Sequence, residues 1–199
     1  MDPALNGMRV AILVTDGFEQ IELTEPKRML EQEGAVTTLV SDRFDEVQGV
    51  NHDKPADRFP VELLLREADA KAFDAVLLPG GKDNGARLRE IPEAQGFVQQ
   101  IQEDGKTIAV ICHGGWLLVS AGLVEGRTLT SHADLEQDIR NAGGNWVDEE
   151  VVVDGNLVSS RVPEDLPAFN SKMVEVIAER MRANLRGTAD EHAVGIASS

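Results

Sequence analysis

Cysteine occurs once in the 199-residue chain, at position 112. A single cysteine excludes an intramolecular disulfide framework, which fits a reducing compartment. No apolar run approaches the roughly 18 residues that a membrane span requires. The opening MDPALNGMRV lacks the charged and apolar regions of a signal peptide. A cytoplasmic location is therefore expected, with no membrane partner. Basic residues are also scarce, 19 Lys and Arg against 35 Asp and Glu, for a formal charge of −16. Binding a phosphate backbone takes cations, so nucleic acid is excluded as a partner. The acidic residues are spread along the chain rather than blocked into a tail, as a solvated surface requires. The Gly-rich phosphate loop is missing, and the cysteine and four histidines show no metal-ligand spacing. Neither a cofactor nor a metal is expected.

What is present is an alternation of short apolar runs and amphipathic stretches. With 42% hydrophobic residues the chain reads as one domain over 1–199, its ordered core over 8–184 and a flexible tail over 185–199. Met8–Val14 reads as a buried first strand, and Thr15-Asp16-Gly17 opens a helix ending at Gly34, with Ile21, Met29 and Leu30 as its apolar face. Pro26 either kinks that helix or restarts it. Ala35–Val40 is a second strand, residues 41–60 a small hairpin or excursion, 61–70 a Leu-rich segment, and Phe73–Leu78 a buried strand broken by Pro79-Gly80-Gly81. A helix is predicted over 87–104, a short strand over 127–131, a short helix over 135–142, a hairpin turning at Asp154-Gly155, and a last helix over 164–182. Strands alternating with helices predict an α/β fold, a flavodoxin-like three-layer sandwich with a mostly parallel sheet and one antiparallel hairpin.

The stretch TIAVICHGGWLLVSA places Cys112 between two incompatible periods. Ile108–Ile111 is a continuous apolar run of the kind buried on both faces of a parallel sheet. Trp116–Ala121 repeats at helical spacing and stops at Gly122. A sharp strand-to-helix turn would set the thiol at the carboxyl edge of the sheet, as in a nucleophile elbow. There the unpaired N–H groups of the helix start favour thiolate, so a lowered thiol pKa is expected.

Three strand ends carry the other candidates. Gly80 and Gly81 offer N–H groups to an oxyanion, or form a plain turn. His113 and His132 are rival bases, while His52 and His192 lie in a loop and the tail. Glu19 and Glu22, three residues apart on a helix, present a carboxyl that tunes the thiol if it lies nearby.

DGFEQIELTEP, FDAVLLPGG, ICHGG, LTSHADLEQDIRNAGG and WVDEEVVVDGNLVSSRVPEDLPAFN together, across residues 8–182, resemble the PfpI intracellular cysteine peptidase family. That family lies within the superfamily of the parkinsonism-associated DJ-one protein, of class I glutamine amidotransferase-like fold. The resemblance implies a nucleophilic Cys112 with His113 beside it, an acid at Glu22 contacting the thiol, and Gly81 adjacent, in a homodimer or hexamer. It also implies an enzyme, peptidase or cofactor-free glyoxalase or deglycase, or a redox sensor or chaperone. The peptidase-like members carry an acidic residue shortly after Pro-Gly-Gly, supplied to the histidine across a subunit interface. Here KDNGARLRE puts Ala86 at that place, with Asp83 near but misplaced, and His132 stands where many of those members have an aromatic residue. Lacking that orienting acid, the expectation is a cytoplasmic stress-response protein. Its Cys112 would act on small reactive carbonyls or on glycated adducts of damaged proteins. The alternatives are a peptidase and a peroxide sensor or chaperone.

Overall fold

Strand β1 (Arg9–Leu13) sends Val10 and Ile12 to one face of the central sheet and Ala11 and Leu13 to the other, all of them buried. This double burial defines the layers. The computed structural model describes the backbone of residues 3–196 and side chains through residue 183.

After β1 come β2 (Phe18–Glu19), α1 (Ile21–Gln32), β3 (Val36–Ser41), the strands β4 (Glu46–Asn51) and β5 (Lys54–Pro60), and the short β6 (Leu63–Leu64). Next are β7 (Ala75–Leu78), α2 (Lys82–Leu88), α3 (Pro92–Glu103), β8 (Thr107–Ile111) and α4 (Gly115–Ser120). The chain continues through β9 (Thr128–Leu129), α5 (Glu136–Asn141), β10 (Asn145–Trp146), β11 (Val151–Asp154), β12 (Leu157–Ser160) and α6 (Leu166–Ile196). The seven-stranded sheet has the order β11-β12-β8-β7-β1-β3-β6, parallel except for the β11–β12 hairpin. Helices α2 to α5 cover one face through Leu88, Phe97, Ile101, Leu118 and Ile139. Helices α1 and α6 cover the other through Leu23, Leu30, Phe169, Met173 and Ile177. The result is the three-layer α/β sandwich expected from the alternation of elements. Chain order reverses between β1 and β7, the switch point at which open parallel sheets bind ligands beyond their carboxyl ends.

Several local expectations are corrected. In α1 the buried side chains are Glu22, Leu23, Pro26 and Leu30, whereas Ile21 is exposed. The helix runs through Pro26, and the inward stripe begins one residue later than the hydrophobic pattern indicated. The single helix predicted over 87–104 is two, α2 and α3, with Pro92 opening the second, where its missing N–H costs nothing. The hairpin expected over 41–60 is present as β4–β5, and it pairs with β2 rather than with the central sheet. Helix α6 continues past Arg182 to Ile196 in backbone; the side chains of the expected flexible tail, and its last three residues, lie outside the described residues.

Candidate active site

Cys112 has φ 60°, in the left-handed region, and follows β8 directly as the first residue of a single 3-10 turn that leads into α4. A non-glycine residue there is strained, and it is held because β8 and α4 are both anchored in the core. The cost places the thiol at the top of the sheet. Gly114 lies so close to the Leu78 and Pro79 carbonyls that a Cβ would clash with them, so the turn needs its glycine. The sharp turn predicted from the two hydrophobic periods is present.

Beside the thiol, His113 Nδ1 lies 3.2 Å from Cys112 Sγ, and His113 Nε2 lies 3.0 Å from Asp134 Oδ2. The short loop after β9 brings Asp134 into place. His132 N–H donates to the Cys112 carbonyl at 3.3 Å, and Thr130 N–H donates to Ser159 Oγ on β12 at 3.0 Å. His132 in turn caps the 3-10 turn carrying Asp134, its Nδ1 accepting the Asp134 N–H at 3.2 Å. Its ring stacks on that of His113, centroids 4.2 Å apart, while Trp116 packs on His113 with a centroid separation of 5.2 Å. His113 is thus clamped between two rings.

The bonding settles the proton positions. Its hydrogen bond from His113 holds the Asp134 carboxyl below the usual range, so it is a carboxylate and Nε2 of His113 carries the hydrogen. Burial lowers the His113 pKa although Asp134 opposes this, so the resting ring is neutral and Nδ1 is a free acceptor facing the thiol. His132 accepts at Nδ1, which leaves its hydrogen on Nε2. Of the rival bases, His113 therefore has the acceptor at the sulfur, and His132 orients the acid and the ring.

Glu22 is wholly buried. Its Oε2 accepts the Gly80 N–H at 2.8 Å, Oε1 meets no nitrogen or oxygen donor, and the Cys112 thiol lies against the carboxyl. Burial raises its pKa to about 8, the Gly80 bond opposing and the Glu19 charge reinforcing the shift. At neutral pH Glu22 is a carboxylic acid and can donate to sulfur. The thiol itself departs from expectation: its pKa is raised, first by burial and then by the Glu22 charge, against the backbone amides of His113 and Gly81. The helix start is outweighed because Cys112 is only 7% exposed. Protonating Glu22 removes the repulsive part.

The predicted glycine pair divides its work. Gly81 N–H points at the Cys112 sulfur, whereas Gly80 N–H is committed to Glu22, so the donors near the reacting atom are Gly81 and His113. Glu19 does not share a helix with Glu22 as expected but ends strand β2, ahead of α1; 12% exposed at its side chain, it accepts the His52 N–H and lines the same cavity. That cavity, of about 390 Å³, opens on Cys112, His113, His132, Asp134, Glu22 and Lys82. His192 lies among the side chains outside the described residues. Ala86 and Asp83 are exposed on α2 and do not line the cavity.

The orienting acid expected to be missing is therefore supplied by Asp134 of the same chain. In sequence Asp134 is one acid among many in LTSHADLEQDIRNAGG, and the signal that marks it is its place two residues after His132, beyond a strand end. His113, His132 and Asp134 also bring one ligand atom each within 4.8 Å of one another, a grouping that sequence spacing did not reveal. Each already has a hydrogen-bonding role in the cysteine site.

The DJ-1/PfpI family model matches residues 8–176. A Thermococcus kodakarensis protein named as a deglycase is 41% identical over 171 residues, covering 85% of this chain and 99% of its own. A Bacillus subtilis protein carrying a provisional cysteine protease name is 35% identical over 170 residues, covering 85% and 98%. Among solved structures, a ThiJ/PfpI domain protein of Brachyspira murdochii superposes with a TM-score of 0.81 at 26% identity, covering 87% of this chain and 98% of that one. With its elbow, its sheet order and these likenesses, the chain belongs to the DJ-1/PfpI family.

Proposed function

We propose that the protein is a cysteine-dependent deglycase of glyoxalase type, acting on carbonyl adducts of amines and on the free dicarbonyl. The observation that carries this reading is the Cys112–His113–Asp134 relay within one chain, beside a carboxylic acid at Glu22. The deglycase names of the similar proteins support it. Cys112 passes its proton to His113 Nδ1 while Asp134 stabilises the imidazolium. In an aminocarbinol adduct the sulfur forms a C–S bond as the C–N bond breaks, and His113 returns the proton to the departing amine. With free dicarbonyl the sulfur adds to the aldehyde carbon, and the alkoxide is protonated to a hemithioacetal. Removal of the proton on that carbon and reprotonation of the neighbouring carbonyl carbon give a thioester of a 2-hydroxy acid. Water, deprotonated by His113, hydrolyses it and restores the thiol. The sum is adduct plus water to amine plus 2-hydroxy acid, with no net oxidation. Gly81 and His113 N–H groups face the developing oxyanion.

The test is release of lactate and free amine from a methylglyoxal-treated N-acetyl-lysine amide by purified protein, abolished in Cys112→Ser. Equal release by the serine variant refutes the mechanism. A peptidase is the second reading, favoured by the same carboxylate at His113, since an orienting acid is what peptide hydrolysis requires. Cleavage of a casein-type substrate, with no lactate formed from adducts, selects it. The proposal includes a cytoplasmic, stress-related role in a homodimer; the lone cysteine supports the reducing compartment, and sedimentation of the purified protein tests the assembly.

A further inference from the structure

Asn84 lies in the first turn of α2 and is wholly buried, yet its side chain serves neither the core nor its own helix. Its Oδ1 accepts the Thr15 N–H at 2.8 Å, just beyond β1, and its Nδ2 donates to the carbonyls of Pro79 and Gly80 at 3.0 Å each, just beyond β7. The amide orientation is unambiguous, because Thr15 N–H can only donate and the two carbonyls can only accept. All three bonds thus join the two strand ends at the switch point. The Gly80 carbonyl also takes the Glu19 N–H at 3.2 Å, and the Gly80 N–H donates to Glu22 Oε2 at 2.8 Å. Both sides of the Pro79–Gly80 peptide are therefore tied, its carbonyl to Asn84 and its N–H to the acid at the thiol.

We propose that Asn84 is a positioning residue for Cys112: by holding the Pro79–Gly80 peptide it aims the Gly80 N–H at Glu22, and so holds that carboxyl against the sulfur. Asn84 has no contact with Cys112 among the hydrogen bonds it makes, and acts through Glu22. Loss of the clamp loosens the bond that opposes the raised pKa of Glu22, so Glu22 keeps its proton to higher pH. The groups facing Glu22 in this balance are Cys112, Glu19 and Glu164. The proposal rests on Cys112 as the reactive centre and requires no particular substrate.

The experiment is the pH dependence of Cys112 alkylation by iodoacetamide in the full chain, for wild type, Asn84→Ala, Glu22→Gln and the double variant. Asn84→Ala is expected to slow alkylation at pH 7 by about tenfold or more, the scale of a small misplacement, and to move the limb set by Glu22 to higher pH. In the Glu22→Gln background Asn84→Ala should leave the profile unshifted. An equal effect in both backgrounds overturns the proposal, because a merely structural role would act alike in each. If Asn84→Ala does not fold, Asn84→Ser is compared in the same way, and amide exchange in the wild type reads the clamp directly. Slow exchange at Gly80 supports it, and exchange as fast as at exposed loop amides overturns it. Absence of lactate release with the expected alkylation profiles would remove the deglycase reading and leave the positioning role standing.

Discussion

His113 Nε2 and Asp134 Oδ2 stand 3.0 Å apart on one chain, twenty-one residues apart in sequence. Because the acid belongs to the same chain as Cys112, the proposed relay does not depend on a neighbouring subunit for its carboxylate. Asp134→Asn keeps the shape and removes the charge that stabilises the imidazolium. We expect turnover to fall by about 10²- to 10⁴-fold. Mixing Cys112→Ser with Asp134→Asn protein should restore nothing; recovered activity in the mixture would mean the acid is supplied between chains.

Glu22 holds its proton up to about pH 8 when folded, whereas an unperturbed glutamate ionises near 4.5. Between those values the folded state binds one proton more than the unfolded state. Its contribution is therefore fully present below pH 4.5 and is lost as the pH rises toward 8. Glu22→Gln keeps an acceptor for Gly80 N–H and cannot ionise. Relative to wild type its melting temperature should gain little near pH 4.5 and progressively more up to pH 8. A gain that is constant across this range would contradict a buried neutral acid.

A methyl group at Gly80 would run into Glu22 Oε2 and Cys112 Cβ, with His113 N close behind. Gly80→Ala must push the acid and the thiol apart. The expected cost is about 1–3 kcal/mol in stability, typical of overpacking, with loss of Cys112 reactivity, read by urea unfolding and by alkylation. Wild-type alkylation in this variant would show that the contact between acid and thiol is dispensable.

His132 both caps the turn carrying Asp134 and stacks on His113. His132→Ala should cost about 1 kcal/mol, the usual value of a lost N-cap, and lower turnover as well. His132→Asn restores a capping oxygen without the stacked ring. It should recover the melting temperature but only part of the activity, whereas full recovery of turnover would limit the histidine to capping.

The elbow was legible because its signal is local. A buried strand period meets a helical period at one residue, and the glycines after Cys112 permit the close passage that Gly114 makes against Leu78 and Pro79. The layers were legible for the same reason, since runs such as Ala75–Leu78 must be covered on both faces. The faces of α1 were less so: Ile21 satisfies the hydrophobic pattern yet is exposed, and the polar Glu22 is buried in its stead. An acid held against the thiol takes the buried place that the hydrophobic pattern assigns to an apolar side chain.

By itself the sequence determined that Cys112 stands at a strand-to-helix turn in an α/β sandwich, because periodicity and turn chemistry act over a few residues; Glu22 and Gly81 as its neighbours were implied by the resemblance to the family and by no local pattern. Only the tertiary structure decided which carboxylate orients His113, that Gly80 serves Glu22 rather than an oxyanion, and that the thiol pKa is raised. Asp134 is one of 35 acidic residues until the loop after β9 is tied to Cys112 and Ser159. Charge stabilisation and desolvation depend on distances and burial between segments far apart in the chain, which no local pattern contains.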